Sequence, residues 1–214
     1  MKRIALLFAL VILFSGCAPP KKKVLIIGDS ISIGYFPFVK EQLAACADVV
    51  HNKGNAQHTR TGLKNIDEWI GDEKWDVIQF NWGLWDLCYR LPNVKGEASR
   101  DKVNGKLTTG LDEYRSNLEA LVKVLKKTNA KLVYVTTTYV PENEPGRFVE
   151  DAGKYNAVAK EVMKAHGVQV NDIYSASKKI HKKFAVAPND VHYTKEGYQE
   201  LAKLIQKPLL KELK

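Results

Sequence analysis

The sequence predicts one α/β domain, with five parallel strands joined by crossover helices and a sheet buried on both faces. Two observations carry this reading. Runs of strand length alternate with segments of helical periodicity along the entire chain, which is the pattern of a parallel sheet. The 214 residues, less a short leader, suit one domain with a substantial core, and no internal repeat or low-complexity tract divides them.

Residues 1–16 read as an export leader: Lys2 and Arg3 give a basic start, Ile4 to Phe14 an apolar stretch, and Ser15-Gly16 a small-residue cleavage site. The apolar stretch, about eleven residues, is short for a bilayer span. Cys17 after Phe-Ser-Gly resembles the bacterial lipoprotein processing box, in which the cysteine takes lipid and becomes the mature N-terminus. An ordinary secretory signal is the alternative. Residues 17–23 then form a lipidated tether and 24–214 the domain, exported and lipid-anchored to the bacterial cell envelope.

Lys23 to Ile27 is the first strand, and a helix is expected from about Phe36 to Ala47 with Pro37 in its first turn, where a missing N–H costs little. Asp48 to His51 is the second strand, Gly62 to Ile70 a second helix, and Trp75 to Asn81 the third strand. Pro92, Gly96, Gly105 and Gly110 among charged residues make 87–110 a long loop, of a length usually functional or disordered. Leu111 to Lys127 is the clearest amphipathic helix, with Leu111, Tyr114, Leu118, Leu121, Val122 and Leu125 at helical spacing. Lys131 to Thr136 is the fourth strand, and 137–148 is a loop beyond it. Glu150 to His166 is helical, Gly167 stops it, and Val168 to Val170 is the fifth strand. Thr194 caps a last helix, and Pro208 is expected to begin a short final segment.

A formal charge of +9 favours anionic surfaces, although the lysines at 123, 126, 127, 160 and 164 fall on solvated helix faces. No RNA-binding motif, zinc spacing or aromatic stripe interleaved with arginine is present, so nucleic acid is not an expected partner. Cys46 and Cys88 are placed at opposite edges of the sheet, roughly 20 Å apart and beyond disulfide reach, as two buried or half-buried thiols. His51, His58, His166 and His181 form no metal-ligand spacing. Neither metal nor cofactor is expected.

Ligands of open α/β sheets sit beyond the C-terminal strand ends, and the residues capable of chemistry gather there. Ser30 follows the first strand, Gly54-Asn55 the second, Asn81 to Asp86 the third and Thr136 to Thr138 the fourth. His192, just before the last helix, joins them if that helix packs back on the sheet. With Asp190 beside it, nucleophile, base and orienter are all present. Asp29 and Asp86 read as structural, holding turns through backbone N–H groups. Trp82, Trp85 and Tyr89 are either core or a sugar-stacking wall. Arg60 and Arg147 are either solvated or placed to clamp an anionic substrate.

Gly28-Asp29-Ser30, Gly54-Asn55 and the late carboxylate-histidine pair resemble the SGNH hydrolase (GDSL esterase) family over essentially the whole mature chain. The resemblance implies a flavodoxin-like three-layer α/β/α sandwich and hydrolysis of acyl esters. It makes Ser30 the nucleophile and His192 the base, with the Ser30 and Gly54 N–H groups and a side-chain amide as oxyanion donors. Two positions depart from the family pattern. Trp85 stands where the family has an asparagine, so its indole N–H, or the amide of Asn81 or Asn55, has to serve. The family's aspartate position holds Asn189, and Asp190 is favoured as orienter because a carboxylate stabilises an imidazolium, which an amide does not. Short acyl groups, such as acetyl on a carbohydrate, are the expected substrates. The rivals are a lysophospholipase or lipase working at the membrane, and a non-catalytic binding lipoprotein on the same fold.

Overall fold

The computed structural model describes residues 20–214; the expected leader, Cys17 and the first tether residues lie outside that range. Strand β1 (Lys22–Ile27) runs almost directly into helix α1 (Ser30–Leu43), followed by β2 (Ala47–His51), α2 (Thr59–Ile70) and β3 (Val77–Phe80). A short antiparallel pair, β4 (Tyr89–Arg90) and β5 (Lys106–Leu107), precedes α3 (Leu111–Lys126). Then come β6 (Lys131–Val135), α4 (Asp151–Ala165), β7 (Gln169–Asn171), α5 (Tyr174–Phe184) and α6 (Lys195–Glu212). Among the described residues no helix is long and apolar enough to cross a membrane.

The main sheet has five strands in the order β2-β1-β3-β6-β7, every pair parallel. Val24 to Ile27 and Val77 to Phe80 are buried at every position, as strands covered on both faces must be. Helices α1, α5 and α6 pack together as one layer, and α2, α3 and α4 as the other. The strand order reverses between β1 and β3, which opens a crevice at their C-terminal ends. Ser30 lies at that crevice.

Several elements differ from the sequence reading. Helix α1 begins at Ser30, not near Phe36, so Pro37 lies inside it. The proline removes the bond to the Ile33 carbonyl, but Ile33 and Pro37 are both exposed and water can take that group. Pro208 likewise lies within α6 instead of starting a new segment. Here the carbonyl that the proline frees, that of Leu204, accepts a bond from Asn171 Nδ2 at 3.1 Å. Helix α5 has no counterpart in the sequence pattern: Ser177 and His181 are its only buried residues, which leaves little apolar periodicity. The 87–110 segment is an ordered strap, with a 3₁₀ turn at Glu97–Ser99 and bonds from Leu91 N to Ser99 O (2.7 Å) and from Tyr89 N to Gly146 O (2.7 Å). Cys46 and Cys88 are both free, and Cys46 is exposed, where a buried or half-buried thiol was expected.

Helix α1 lies against α6 at Gly34. A Cβ there would sit 2.2 Å from the Tyr198 ring, so the two helices approach as closely as they do because position 34 has no side chain. Gly34→Ala gains about 1 kcal/mol of helix propensity but forces the ring aside, and overpacking of this kind costs about 1–3 kcal/mol. The ring, packed against Tyr193 at 5.7 Å between centroids, has little room to retreat, so overpacking wins. Urea unfolding of Gly34→Ala should show a net loss of stability; a gain would mean the ring moves freely.

Candidate active site

The Gly28-Asp29-Ser30 turn is fixed from three sides. Asn52 Oδ1 accepts the Gly28 N–H at 2.9 Å, and Ala56 N–H donates to the Gly28 carbonyl at 3.0 Å, so the loop after β2 grips both backbone groups. A Cβ at Gly28 would lie 2.6 Å from Ser32 Oγ. Asp29 caps α1, its Oδ1 accepting the Ile31 N–H at 3.0 Å. Burial, opposed by that bond, raises the Asp29 carboxyl above its ordinary pKa. Ser30 is thereby the first residue of the helix, where its own N–H has no helical acceptor and the helix end carries partial positive charge.

His192 is delivered by a closed loop between α5 and α6. Val186 N–H donates to the His192 carbonyl at 3.1 Å and Thr194 N–H to the Phe184 carbonyl at 2.8 Å, around an antiparallel bridge of Ala185 with Tyr193. Gly197 lets α6 begin tight against this loop, since a Cβ there would come within 2.8 Å of the Phe184 and Tyr193 Cβ atoms.

These two constructions meet. Ser30 Oγ lies 2.9 Å from His192 Nε2, and Asp190 Oδ1 lies 2.6 Å from His192 Nδ1. A carboxylate accepts only, so Nδ1 carries the proton and Nε2 offers its lone pair to the Ser30 hydroxyl. The same Oδ1 also accepts the His192 backbone N–H at 2.9 Å. Burial works against the Asp190 charge, but the two His192 hydrogen bonds and the His192 and Arg100 charges outweigh it and hold the carboxyl below its ordinary value. Asn189 is exposed. A residue that the sequence left without a role supports the carboxylate: buried His181, whose Nε2–H donates to the Asp190 carbonyl at 2.6 Å, with Tyr139 and Tyr193 edge-on to its ring.

Ser30 and His192 line a cleft of about 200 Å³ together with Asn55, Leu84, Trp85 and Arg147. Asn55 Oδ1 accepts the Gln57 N–H at 2.8 Å, which fixes the amide plane and leaves Nδ2 without a partner among the described residues. Gln57 itself holds a left-handed φ of 49° to make this turn.

The sequence as a whole points the same way as the geometry. Residues 26–200 match the GDSL-like Lipase/Acylhydrolase family. The chain belongs to that family. It is a carboxylic ester hydrolase by membership. Among solved structures, the family fold recurs in a lipase/acylhydrolase from Enterococcus faecalis (23% identity, TM-score 0.73, 90% of this chain and 97% of that one). It recurs in an acetylxylan esterase from Geobacillus stearothermophilus (23%, 0.69, 90% and 94%) and in a second acetyl xylan esterase (15%, 0.70, 87% and 99%). No curated protein gives a significant sequence match.

In this GDSL hydrolase the expected oxyanion set is only partly assembled. Gly54 is on an exposed turn with a φ of 74° and does not line the cleft, because the chain reaches the cleft wall one residue later, at Asn55. Asn81 is buried beneath the cleft, where its amide donates to the Val135 carbonyl at 2.8 Å and ties β3 to β6. Trp85 does line the cleft, with the Arg90 guanidinium over its ring at 4.4 Å. Trp82 is core, its Nε1 donating to the Ala56 carbonyl, and Tyr89 packs on Phe148, so of the three proposed wall aromatics only Trp85 borders Ser30. Arg147 lines the cleft, whereas Arg60 turns away to Glu113 and the Thr108 carbonyl.

Asp86 lies under the site and holds the start of α2: both oxygens face the Thr59 N–H, and Oδ1 accepts from Thr59 Oγ1 at 2.6 Å. Complete burial pushes its carboxyl up to about 6 despite these bonds. An acid raised in the folded state contributes stability below its unfolded pKa, near 3.8, that is lost as pH rises through 6, on the order of 3 kcal/mol in all. Asp86→Asn keeps an acceptor and removes the charge. The stability of wild type relative to Asp86→Asn, by urea unfolding, should therefore fall between pH 4 and 6.5; a constant difference would show that Asp86 ionises normally.

Proposed function

We propose that this GDSL-family hydrolase removes short acyl groups, such as acetyl on a carbohydrate, with Ser30 as nucleophile, His192 as base and Asp190 as orienter. The observation that carries the reading is the unbroken chain of contacts from Ser30 Oγ through both His192 ring nitrogens to Asp190 Oδ1. In acylation His192 Nε2 takes the Ser30 proton as Oγ attacks the ester carbonyl, and the imidazolium returns that proton to the departing alkoxide. In deacylation the same nitrogen takes a proton from water, which attacks the acyl-serine, and hands it back to Ser30 Oγ.

Charge builds on the carbonyl oxygen in both steps. The Ser30 N–H at the helix start and Asn55 Nδ2 are the donors we assign to it, the second as the side-chain amide that stands in for the family's asparagine at position 85. The size of the cleft favours small acyl groups: about 200 Å³ is a poor site for a long hydrocarbon chain. That two structural neighbours are acetyl xylan esterases agrees with an acetylated carbohydrate.

A fluorophosphonate probe should label the protein and fail on Ser30→Ala, and 4-nitrophenyl acetate should be cleaved faster than the octanoate. Absence of labelling would overturn the nucleophile assignment, and faster turnover of the octanoate the substrate class. Removing one oxyanion donor typically costs about a hundredfold to a thousandfold in kcat, so Asn55→Ala should lose about that much while Asn81→Ala folds less stably. Equal, small effects on kcat in both would remove Asn55 from the oxyanion site.

A further inference from the structure

Besides Ser30 and His192, the cleft is lined by three arginines, Arg90, Arg100 and Arg147, and by one carboxylate, Glu97. Arg90 and Arg100 face each other as partners in an antiparallel bridge of the strap. Partners in such a bridge project their side chains to the same face, with Cβ atoms about 5 Å apart, and like charges placed so destabilise the pair. The protein does little to relieve this. Arg147 is buried and shares a single buried carboxylate, Glu144, with Arg100, at 2.6 Å and 3.2 Å. Glu97 reaches Arg100 at 3.4 Å, but its side chain is 78% exposed, so water screens the contact.

Arg90 has no carboxylate partner among the described residues: Nη1 donates to the Gly96 carbonyl and to Ser99 Oγ, and the guanidinium rests on Trp85. The Nε atoms of Arg90 and Arg100 are buried with no hydrogen-bond partner among the described residues. Burial, and then the charges of Arg147 and Arg100, draw the Arg90 guanidinium below its ordinary pKa, although it stays charged. Two arginines paired across the strap line the cleft with the reactive serine, and the Arg90 guanidinium, held flat by an indole and without a carboxylate partner among the described residues, offers a planar cationic seat of the kind that receives a carboxylate.

We propose that the ester this enzyme prefers carries a carboxylate, seated on Arg90 and Arg100 while its acyl group is presented to Ser30. The inference rests on the serine-hydrolase reading and specifies its substrate. An acetylated acidic saccharide has this chemistry, and so does any small ester with an anionic group on its alcohol side. The cationic strap then selects among short esters that the Ser30 cleft alone would treat alike.

Two esters that differ only in charge test it: 4-acetoxyphenylacetate and its neutral amide, 4-acetoxyphenylacetamide, whose leaving phenols are matched. In wild type, kcat/KM for the carboxylate should exceed that for the amide by about tenfold or more, as a charged hydrogen bond warrants. That ratio should fall about tenfold in Arg90→Gln and in Arg100→Gln, and should shrink as salt is raised. A measurement on the wild type alone guards against misfolded variants: phenylacetate should inhibit cleavage of the neutral ester at least tenfold more strongly than phenylacetamide.

A ratio near one in wild type, with the neutral ester still turned over and Ser30 still labelled, overturns the anionic preference and leaves the hydrolase reading standing. Loss of both substrates in equal measure in the arginine variants overturns it too, since arginines that only brace the strap would act on both esters alike. Failure of wild type to cleave either ester, with no labelling of Ser30, overturns both readings.

Discussion

The close seat of α1 on α6 is the constraint from which the site follows. Ser30 begins α1 and His192 lies just before α6, so the two side chains meet only if the helices they belong to are locked in distance and register. Gly34 under the Tyr198 ring provides the lock on one side, and Gly197 against Phe184 and Tyr193 fixes where α6 starts. Neither glycine needs an unusual backbone angle; each is required because another group occupies the space of its Cβ. A hydrogen bond of 2.9 Å between residues so far apart in sequence thus depends on packing over a whole helical layer.

Around that contact, similar carboxylic acids acquire different properties from what surrounds them. Asp190 is partly buried but receives two N–H bonds from His192, and its carboxyl is held down. Asp86 is fully buried, its bonds do not offset desolvation, and its carboxyl rises to about 6. Asp29, buried directly beside Ser30, also rises and leaves Oδ2 without a partner. Only Asp190 combines a favoured negative charge with contact to the imidazole. Asp190 is the least buried of the three, and the His192 bonds turn its smaller desolvation penalty into a net preference for the charged form.

Much of this was legible in the sequence because the information was local. The strands read correctly as a buried parallel sheet, and Ser30 and His192 were found from a strand-turn serine and a late carboxylate-histidine pair. The first helix starts earlier than Pro37 suggests, because Ile33 and Pro37 share an exposed face that tolerates the lost bond. The continuation of α6 past Pro208 depends on Asn171, from another strand, and no pattern within the helix announces it. Arg90 and Arg100 reach the cleft because a bridge folds the strap back on itself. The 87–110 composition reads as a loop and carries no sign of that pairing.

The departure at Trp85 bears on both the oxyanion donor and the charged strap. An indole at that position gives a broad face on which the Arg90 guanidinium lies, and an asparagine would give a donor but no such platform. On the proposed reading, the exchange moves the oxyanion amide across the cleft. Asn55, its carbonyl fixed by the Gln57 N–H, leaves an amide free on the opposite loop, the one that also grips Gly28 through Asn52 and Ala56. Because that loop is tied to the same turn as Ser30, a donor there keeps its distance to the serine as well as one on the β3 side would. The β3 side is thereby released from holding the oxyanion and becomes, on the proposed reading, the wall that recognises charge on the substrate.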